Sequence, residues 1–454
     1  MSFTRTLRAV GGAVVAGALL FGTAPVASAD QIRNDQWPLQ KFDAESIWKI
    51  STGKGVTVAV LDTPVDGSHP DLVGNVLPGK NFITGSGPAD QGTGDDADHG
   101  TAMASIIAGH GHGAGGADGV KGLAPDAKIL PVAIPAANGN PSELGEGGGD
   151  FAGALRYAVD QGAKVVNMSF VNGGLELTPD EKRAVDYARM RDVLLVAGTG
   201  NDGVSTPRVP AAAPGVLAVG SVDDHGYVWN KSNYGSHVKL IAPGVHIRSA
   251  SSVVDVNGKY RLANGTSDST AYVSATAALL RAKFPNLSAG QIANRMIKTA
   301  GIPEDKPNLK LPDPHYGYGF IKPYSALTKN VPAGPKDGPF PALSGGTSSD
   351  PSSAAGNNAT GPKISSQKGL SAPFIILIAV VGVALLAIVV VIVLVAKKKN
   401  RRNGPPPGGF GGPGGPGGPG GFVPNPQGPQ GPYQQQPGAP GAYPPAPPTQ
   451  PPGR

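Results

Sequence analysis

Val56-Thr57-Val58-Ala59-Val60-Leu61-Asp62 is the stretch on which the fold turns. A short apolar, β-branched run bounded by turn residues reads as a buried strand, and here it ends on a carboxylate. Working outward, residues 127–134 and 163–168 read as further strands, with a helix over 151–161 between them. Thr178-Pro179-Asp180-Glu181 opens the next helix: Thr178 caps, Pro179 suits the first helical position and Glu181 completes a capping box. Residues 193–197 return as a strand, and Ser288-Ala289-Gly290-Gln291 is a second capping box whose helix stops at Gly301. Strand–helix–strand alternation predicts an α/β fold, a mostly parallel sheet with helices on both faces. Ligands of such sheets bind at the carboxyl ends of the strands.

Four short segments stand at those strand ends or at helix starts. Asp62 leaves the first strand in Leu61-Asp62-Thr63-Pro64. Asp98-His99-Gly100-Thr101 opens an apolar, small-residue helix over 102–108. Gly198-Thr199-Gly200-Asn201-Asp202 follows the strand 193–197, and Asn264-Gly265-Thr266-Ser267 opens a helix over 268–283. These are the residue types of acyl transfer. A serine hydroxyl is a weak nucleophile and needs a base beside it. A histidine takes the proton and returns it, a buried carboxylate orients the histidine, and an amide with a helix-start N–H holds the oxyanion.

The order Asp, His, Asn, Ser and the words around it resemble the subtilisin-like serine proteases over residues 36–328. Ser68-His69-Pro70-Asp71-Leu72, Val165-Val166-Asn167-Met168-Ser169, Ser232-Asn233-Tyr234-Gly235 with Ala242-Pro243-Gly244-Val245, and Tyr316-Gly317-Tyr318-Gly319-Phe320-Ile321 extend the likeness. The resemblance implies a three-layer subtilisin-like domain that hydrolyses protein or peptide substrates through an acyl-enzyme. It implies that Asp62 orients, His99 is the general base and acid, Ser267 is the nucleophile and Asn201 is the oxyanion donor. Ser169, Phe170 and Val171 would pair with substrate as an added strand, with Phe170 and the loop 135–144 along the cleft. Asp66 and His69 receive no catalytic role and read as a surface turn. No metal ligand and no cofactor is implied; structural calcium is common in the family, but no ligand spacing here locates it.

A narrower resemblance rests on Gln36-Trp37-Pro38-Leu39, on Trp48-Lys49-Ile50-Ser51 and on a membrane anchor after the domain. These are similar to the mycosins, the membrane-anchored subtilases of type VII secretion systems in actinobacteria, which implies the secretion membrane complex as a partner. Residues 30–55 are too short for a core of their own, so this N-terminal extension is expected to pack on the peptidase domain, 56–328.

Two departures from the family pattern flank the catalytic words. Pro64 stands where the family has Gly, without an N–H and with a fixed φ. Asp268 follows Ser267, where the family has Met, Phe or Tyr. A carboxylate there either opposes the oxyanion and holds a proton on His99, or faces solvent as a favourable helix-start acid. Two function classes therefore stand side by side: an active serine endopeptidase, and a catalytically weak or inactive subtilase-fold structural subunit of the secretion complex.

Composition assigns the rest of the chain. The 454 residues contain no Cys, which excludes a disulfide scaffold, thiolate metal sites and a cysteine nucleophile. Residues 1–29 read as a signal peptide: Arg5 and Arg8, an apolar run, then Ala27-Ser28-Ala29 before a cut at Asp30. Residues 329–372 form a Pro/Ser/Gly-rich stalk. The 23 uncharged residues 374–396, within an anchor segment 373–396, are long enough to span a bilayer, and Lys397-Lys398-Lys399 then places that end in the cytoplasm. Everything from 30 to the anchor is then extracellular. The tail 397–454 is basic, then Gly/Pro/Gln-rich, and cannot build a core.

The net charge of +6 does not mark a nucleic-acid binder. Residues 397–454 carry +6 and residues 1–29 carry +2, which leaves −2 on 30–396. His110 and His112, near Asp98 and His99, are weighed as metal ligands and read instead as part of a Gly-rich surface loop. Gly145-Glu146-Gly147-Gly148-Gly149 lacks the Lys-Ser/Thr of a phosphate loop.

Overall fold

Alternate residues of one strand face two separate cores, and this makes the domain three layers. Val58 and Val60 enter a core with helix residues such as Met103, Ile107, Tyr272 and Leu279. Ala59 and Leu61 enter the other, with Phe151, Leu155, Ala184 and Val185. Strands covered on both sides need no polar face, so the run at 58–61 is apolar throughout rather than alternating.

The structure is a computed structural model and describes residues 27–343 apart from 138–139, 145–149, 173 and 257. Its elements begin with α1 (Ala27–Asn34), α2 (Trp37–Phe42), α3 (Ala44–Trp48), β1 (Thr57–Asp62), β2 (Lys80–Asn81) and α4 (Asp95–Ala108). Next come β3 (His110–His112), β4 (Asp118–Lys121), β5 (Lys128–Ala133), β6 (Ala136–Ala137), β7 (Asn140–Leu144), α5 (Phe151–Asp160) and β8 (Val165–Met168). Then follow α6 (Pro179–Met190), β9 (Leu194–Gly198), β10 (Val216–Val222), β11 (Val238–Pro243) and the hairpin β12 (Ile247–Asp255) and β13 (Gly258–Ala263). The last helices are α7 (Thr266–Lys283), α8 (Ala289–Thr299) and α9 (Pro323–Thr328).

The main sheet has seven strands in the order β11-β10-β9-β8-β1-β5-β2, and its pairings are parallel. From β1 the chain passes to β5 on one side and later to β8 on the other. That reversal places a crevice at the carboxyl ends of β1 and β8.

Both capping boxes form. The Thr178 hydroxyl accepts the Glu181 N–H and the Glu181 carboxylate accepts the Thr178 N–H; Ser288 and Gln291 do the same. Two helix starts lie earlier than the sequence predicts. α4 begins at Asp95, because Asp95, Asp96 and Asp98 complement the positive helix end in its first turn. α7 begins at Thr266 and so takes Ser267 into its first turn.

The segment before β1 lies along the domain. Arg33 donates to the carbonyls of Gly116 and Gly119, each at 3.0 Å. Gln36 donates to the Lys121 carbonyl at 2.9 Å and accepts the Lys121 N–H at 2.8 Å. The indoles of Trp37 and Trp48 donate to the carbonyls of Val245 and Leu123. Asp35 pairs with Arg248 at 2.6 Å. The segments read as signal peptide up to residue 26, most of the stalk, the membrane anchor and the tail lie outside the described residues. No helix among the described residues is long and apolar enough to cross a membrane.

Candidate active site

The crevice collects the residues singled out in the sequence. Asp62 is the last residue of β1, Ser169 follows β8, Asn201 follows β9, His99 sits in α4 and Ser267 in the first turn of α7. α4 comes close to β1 at Gly100, where a Cβ would collide with the Thr63 carbonyl. The Gly100 N–H donates to Thr63 Oγ1 at 2.8 Å, tying the residue beside His99 to the end of β1.

His99 Nδ1 lies 2.6 Å from Asp62 Oδ1, with both side chains buried. The Thr63 N–H donates to the same oxygen at 2.8 Å. Asp62 Oδ2 is buried without a partner among the described residues. The carboxylate therefore accepts the Nδ1–H as a hydrogen bond, which leaves Nε2 as the acceptor nitrogen of the ring.

Asn201 is held by its oxygen. Its Oδ1 accepts the backbone N–H and the hydroxyl of Thr266, both at 2.9 Å. The amide NH2 is thereby left to donate, beside the first-turn N–H of Ser267, which has no intrahelical acceptor. Asn233 shapes the loop that carries Asn201, accepting the N–H groups of Asp202 and Val204 and donating to the Thr199 carbonyl.

The Ser267 hydroxyl donates to the Ser169 carbonyl at 3.1 Å. In return, Ser169 Oγ donates to the Ser267 carbonyl at 3.0 Å. A buried relay steadies this pair: Ser274 donates to Asn167 Oδ1, and Asn167 Nδ2 donates to Ser169 Oγ, each at 2.9 Å. The Phe170 ring, expected along the cleft, turns into the core and meets Phe151 edge-on at 5.9 Å. Val171 is buried as well. What the segment 169–171 offers the crevice is its backbone.

Asp268 does not face solvent. It is 1% exposed, and its Oδ1 has no hydrogen-bond partner among the described residues. Burial pushes its carboxyl up from the ordinary value, while Arg261 and His99 pull the other way. One helical turn on, the Tyr272 hydroxyl is also buried, with no hydrogen-bond partner among the described residues. Arg261 reaches Asp98 at 2.6 Å, and Asp98 also accepts the Ser251 hydroxyl. Neither this Arg261–Asp98 pair nor the Asn167–Ser274 relay was marked as functional in the sequence. Asp98 and Asn167 lie inside quoted motifs, but nothing in residue spacing points to their partners.

The remaining candidates are engaged elsewhere. His112 Nδ1 lies 2.5 Å from buried Asp71, and His110 Nε2 lies 2.9 Å from the Val73 carbonyl. Asp66 and His69, read as a surface turn, are buried: Asp66 pairs with Lys259 at 2.9 Å and His69 Nε2 bonds the Lys259 carbonyl at 3.0 Å. Among the described residues, one group has metal-ligand spacing, Asp223, Asp224 and His225 in the loop after β10. There Asp223 Oδ1 already accepts the N–H groups of His225 and Tyr227.

Known proteins share this architecture. The chain matches the subtilase family, peptidase S8, over residues 53–319. A thermophilic serine proteinase from Bacillus sp. (strain AK1) is 33% identical over 311 residues, 68% of this chain and 71% of that one. The crystal structure of MycP1 from Mycobacterium smegmatis is 29% identical, with a TM-score of 0.55 over 68% of this chain and 88% of that one. The MycP3 protease from the type VII (ESX-3) secretion system is 31% identical, with a TM-score of 0.53 over 65% and 88%. A buried Asp–His contact at the carboxyl ends of a parallel sheet, a serine in the first turn of α7 and these likenesses converge: the chain belongs to the subtilase family of serine proteases, and mycosins are among its structural relatives.

Proposed function

We propose that the protein is a membrane-anchored serine endopeptidase with Asp62, His99 and Ser267 as its triad, working on the outer side of the cell membrane with a type VII secretion complex. The observation that carries the catalytic part is the 2.6 Å contact between His99 Nδ1 and Asp62 Oδ1. It leaves Nε2 free to act as the base. A substrate chain lies along 169–171 as an added strand, and its N–H takes the Ser169 carbonyl. Ser267 then gives up that acceptor and turns its hydroxyl to His99 Nε2. Oγ attacks the scissile carbonyl as its proton moves to Nε2. The oxyanion is held by Asn201 Nδ2 and the Ser267 N–H at the positive end of α7. The imidazolium, stabilised by Asp62, protonates the leaving amine, and water cleaves the acyl-enzyme by the same steps.

The anchor is the apolar segment 374–396, followed by Lys397-Lys398-Lys399. The secretion partner is inferred from the likeness to MycP1 and to MycP3, whose structure is described as from a type VII secretion system. The test is labelling of the full-length protein in detergent by a fluorophosphonate, with Ser267→Ala beside it. Labelling that disappears in the variant is the expected result. A folded native protein that does not label sinks the catalytic reading.

A second reading has its own observation. The Ser267 hydroxyl bonds the Ser169 carbonyl rather than His99, and Asp268 is buried next to it. On that reading the chain is a catalytically weak or inactive structural subunit. Secretion that is lost on deletion and restored by Ser267→Ala distinguishes it.

A further inference from the structure

Arg208 is a cation without a counterpart. Every other arginine of the described residues meets an acid, a carbonyl or an aromatic ring. Arg208 has no such contact among the described residues, and its Nε is shielded from solvent with no hydrogen-bond partner. A guanidinium stays charged at every pH the protein meets, and it carries five donors in a rigid fork. Taking such a group out of water is costly unless an acceptor replaces the water. A buried donor left unpaired therefore marks a place where a partner is missing.

The place is beside the crevice. The chain reaches Arg208 through an exposed run, 204–207, and then turns inward. Val209 packs in the core that holds Phe151 and Phe170, and its carbonyl accepts the Asn172 N–H at 2.7 Å. That bond ties the stretch carrying Arg208 to the end of 169–171. The Asn201 loop lies against the same segment, because a Cβ on Gly200 would come within 3.4 Å of Val171. The segment 169–172 has no charged side chain of its own. The acid bonded to it, Glu181, already accepts the Asn172 amide and the Thr178 N–H. The fold thus supplies Arg208 with no anion at this edge of the crevice.

We propose that Arg208 is a specificity residue that receives a substrate carboxylate, so that the protein selects peptides with a glutamate or aspartate near the scissile bond. The inference rests on the reading of 169–171 as the segment a substrate joins, and it names the substrate class of that site. A carboxylate matches the guanidinium fork with two parallel hydrogen bonds, whereas an amide of the same shape offers one neutral oxygen. The difference falls on glutamate against glutamine at a single position of the peptide.

The experiment uses the full-length protein in detergent and a set of alanine octapeptides in which one glutamate, or one glutamine, is stepped through the eight positions. The expected result is one position at which glutamate exceeds glutamine in kcat/KM by about 10–100-fold, a ratio that falls to near one in Arg208→Gln. Arg208→Glu should reverse the sign and favour lysine at that position. No acidic preference at any position overturns the proposal, as does a preference that survives Arg208→Gln. If Arg208→Gln does not fold, Arg208→Lys takes its place. Lysine keeps the charge without the fork, so the preference should shrink several-fold and keep its sign; an unaltered ratio overturns the proposal. If no peptide is cleaved, the triad reading fails, and fluorescence anisotropy of the same peptides on Ser267→Ala protein decides the matter alone. Tighter binding of a glutamate peptide that vanishes with the further change Arg208→Gln supports the role of Arg208. Equal binding of the glutamate and glutamine peptides overturns it.

Discussion

At the scale of single residues, catalysis depends on which imidazole nitrogen holds the proton. Asp62 accepts from His99 Nδ1 and from the Thr63 N–H through one oxygen. Asp62→Asn keeps the shape but offers an N–H to Nδ1, so the proton moves to Nε2 and the base is lost. The expected fall in fluorophosphonate labelling rate is about 10⁴-fold, with the melting temperature little changed. A rate within tenfold of native would refute the assigned orientation. Asn201 has a different part. Its oxygen is occupied by Thr266, so its NH2 is aimed without freedom to flip. Asn201→Ala should lower kcat on a cleaved peptide by about 10²–10³-fold with little change in KM, because the donor acts on a charge that exists only in the transition state. A change confined to KM would move Asn201 from transition-state stabilisation to substrate binding.

At the scale of elements, what the sequence shows depends on whether the signal is local. Thr178 and Ser288 announce their helices because a capping box is complete within four residues. The start of α4 has no mark of its own in the sequence: Asp95 and Asp96 become helix-start groups only once the helix exists. The sense of Phe170 was hidden for another reason. It follows β8, and a strand covered on both faces has no polar alternation to carry forward past its end. The side Asp268 faces has no mark in the sequence because every residue of the first four turns of α7 is buried, small or polar alike. A 3.6-residue period cannot be read from a helix with no solvent face. The family words supplied the four positions proposed here as catalytic, while the hairpin of β12 and β13, which carries Arg261, has no local mark. The segment before β1 behaves as an element of the domain. Gln36 is 1% exposed and completes both backbone groups of Lys121 at the end of β4. Gln36→Ala leaves a part-buried N–H and carbonyl without that partner and should cost about 1 kcal/mol in denaturant unfolding. Stability unchanged within error would mean that water reaches that edge.

At the scale of the whole molecule, charge and hydropathy are segregated along the chain. The part from 30 to 396 carries −2, and all six charges of the tail 397–454 are positive. The 23 residues of 374–396 would extend about 34 Å as a helix, slightly more than a bilayer core. Basic residues follow it at once, and translocating them is the costlier choice, so the proposed orientation keeps the tail inside. Two fractionations test this arrangement. The full chain should stay with membranes through alkaline carbonate, and a chain ending at residue 372 should appear in the medium. Protease added to intact cells should remove an epitope placed in the outer domain and spare one placed after Arg402. Loss of the tail epitope from intact cells would reverse the orientation. Release of the full chain by carbonate would leave the domain as a peripheral protein held by its partners rather than by lipid.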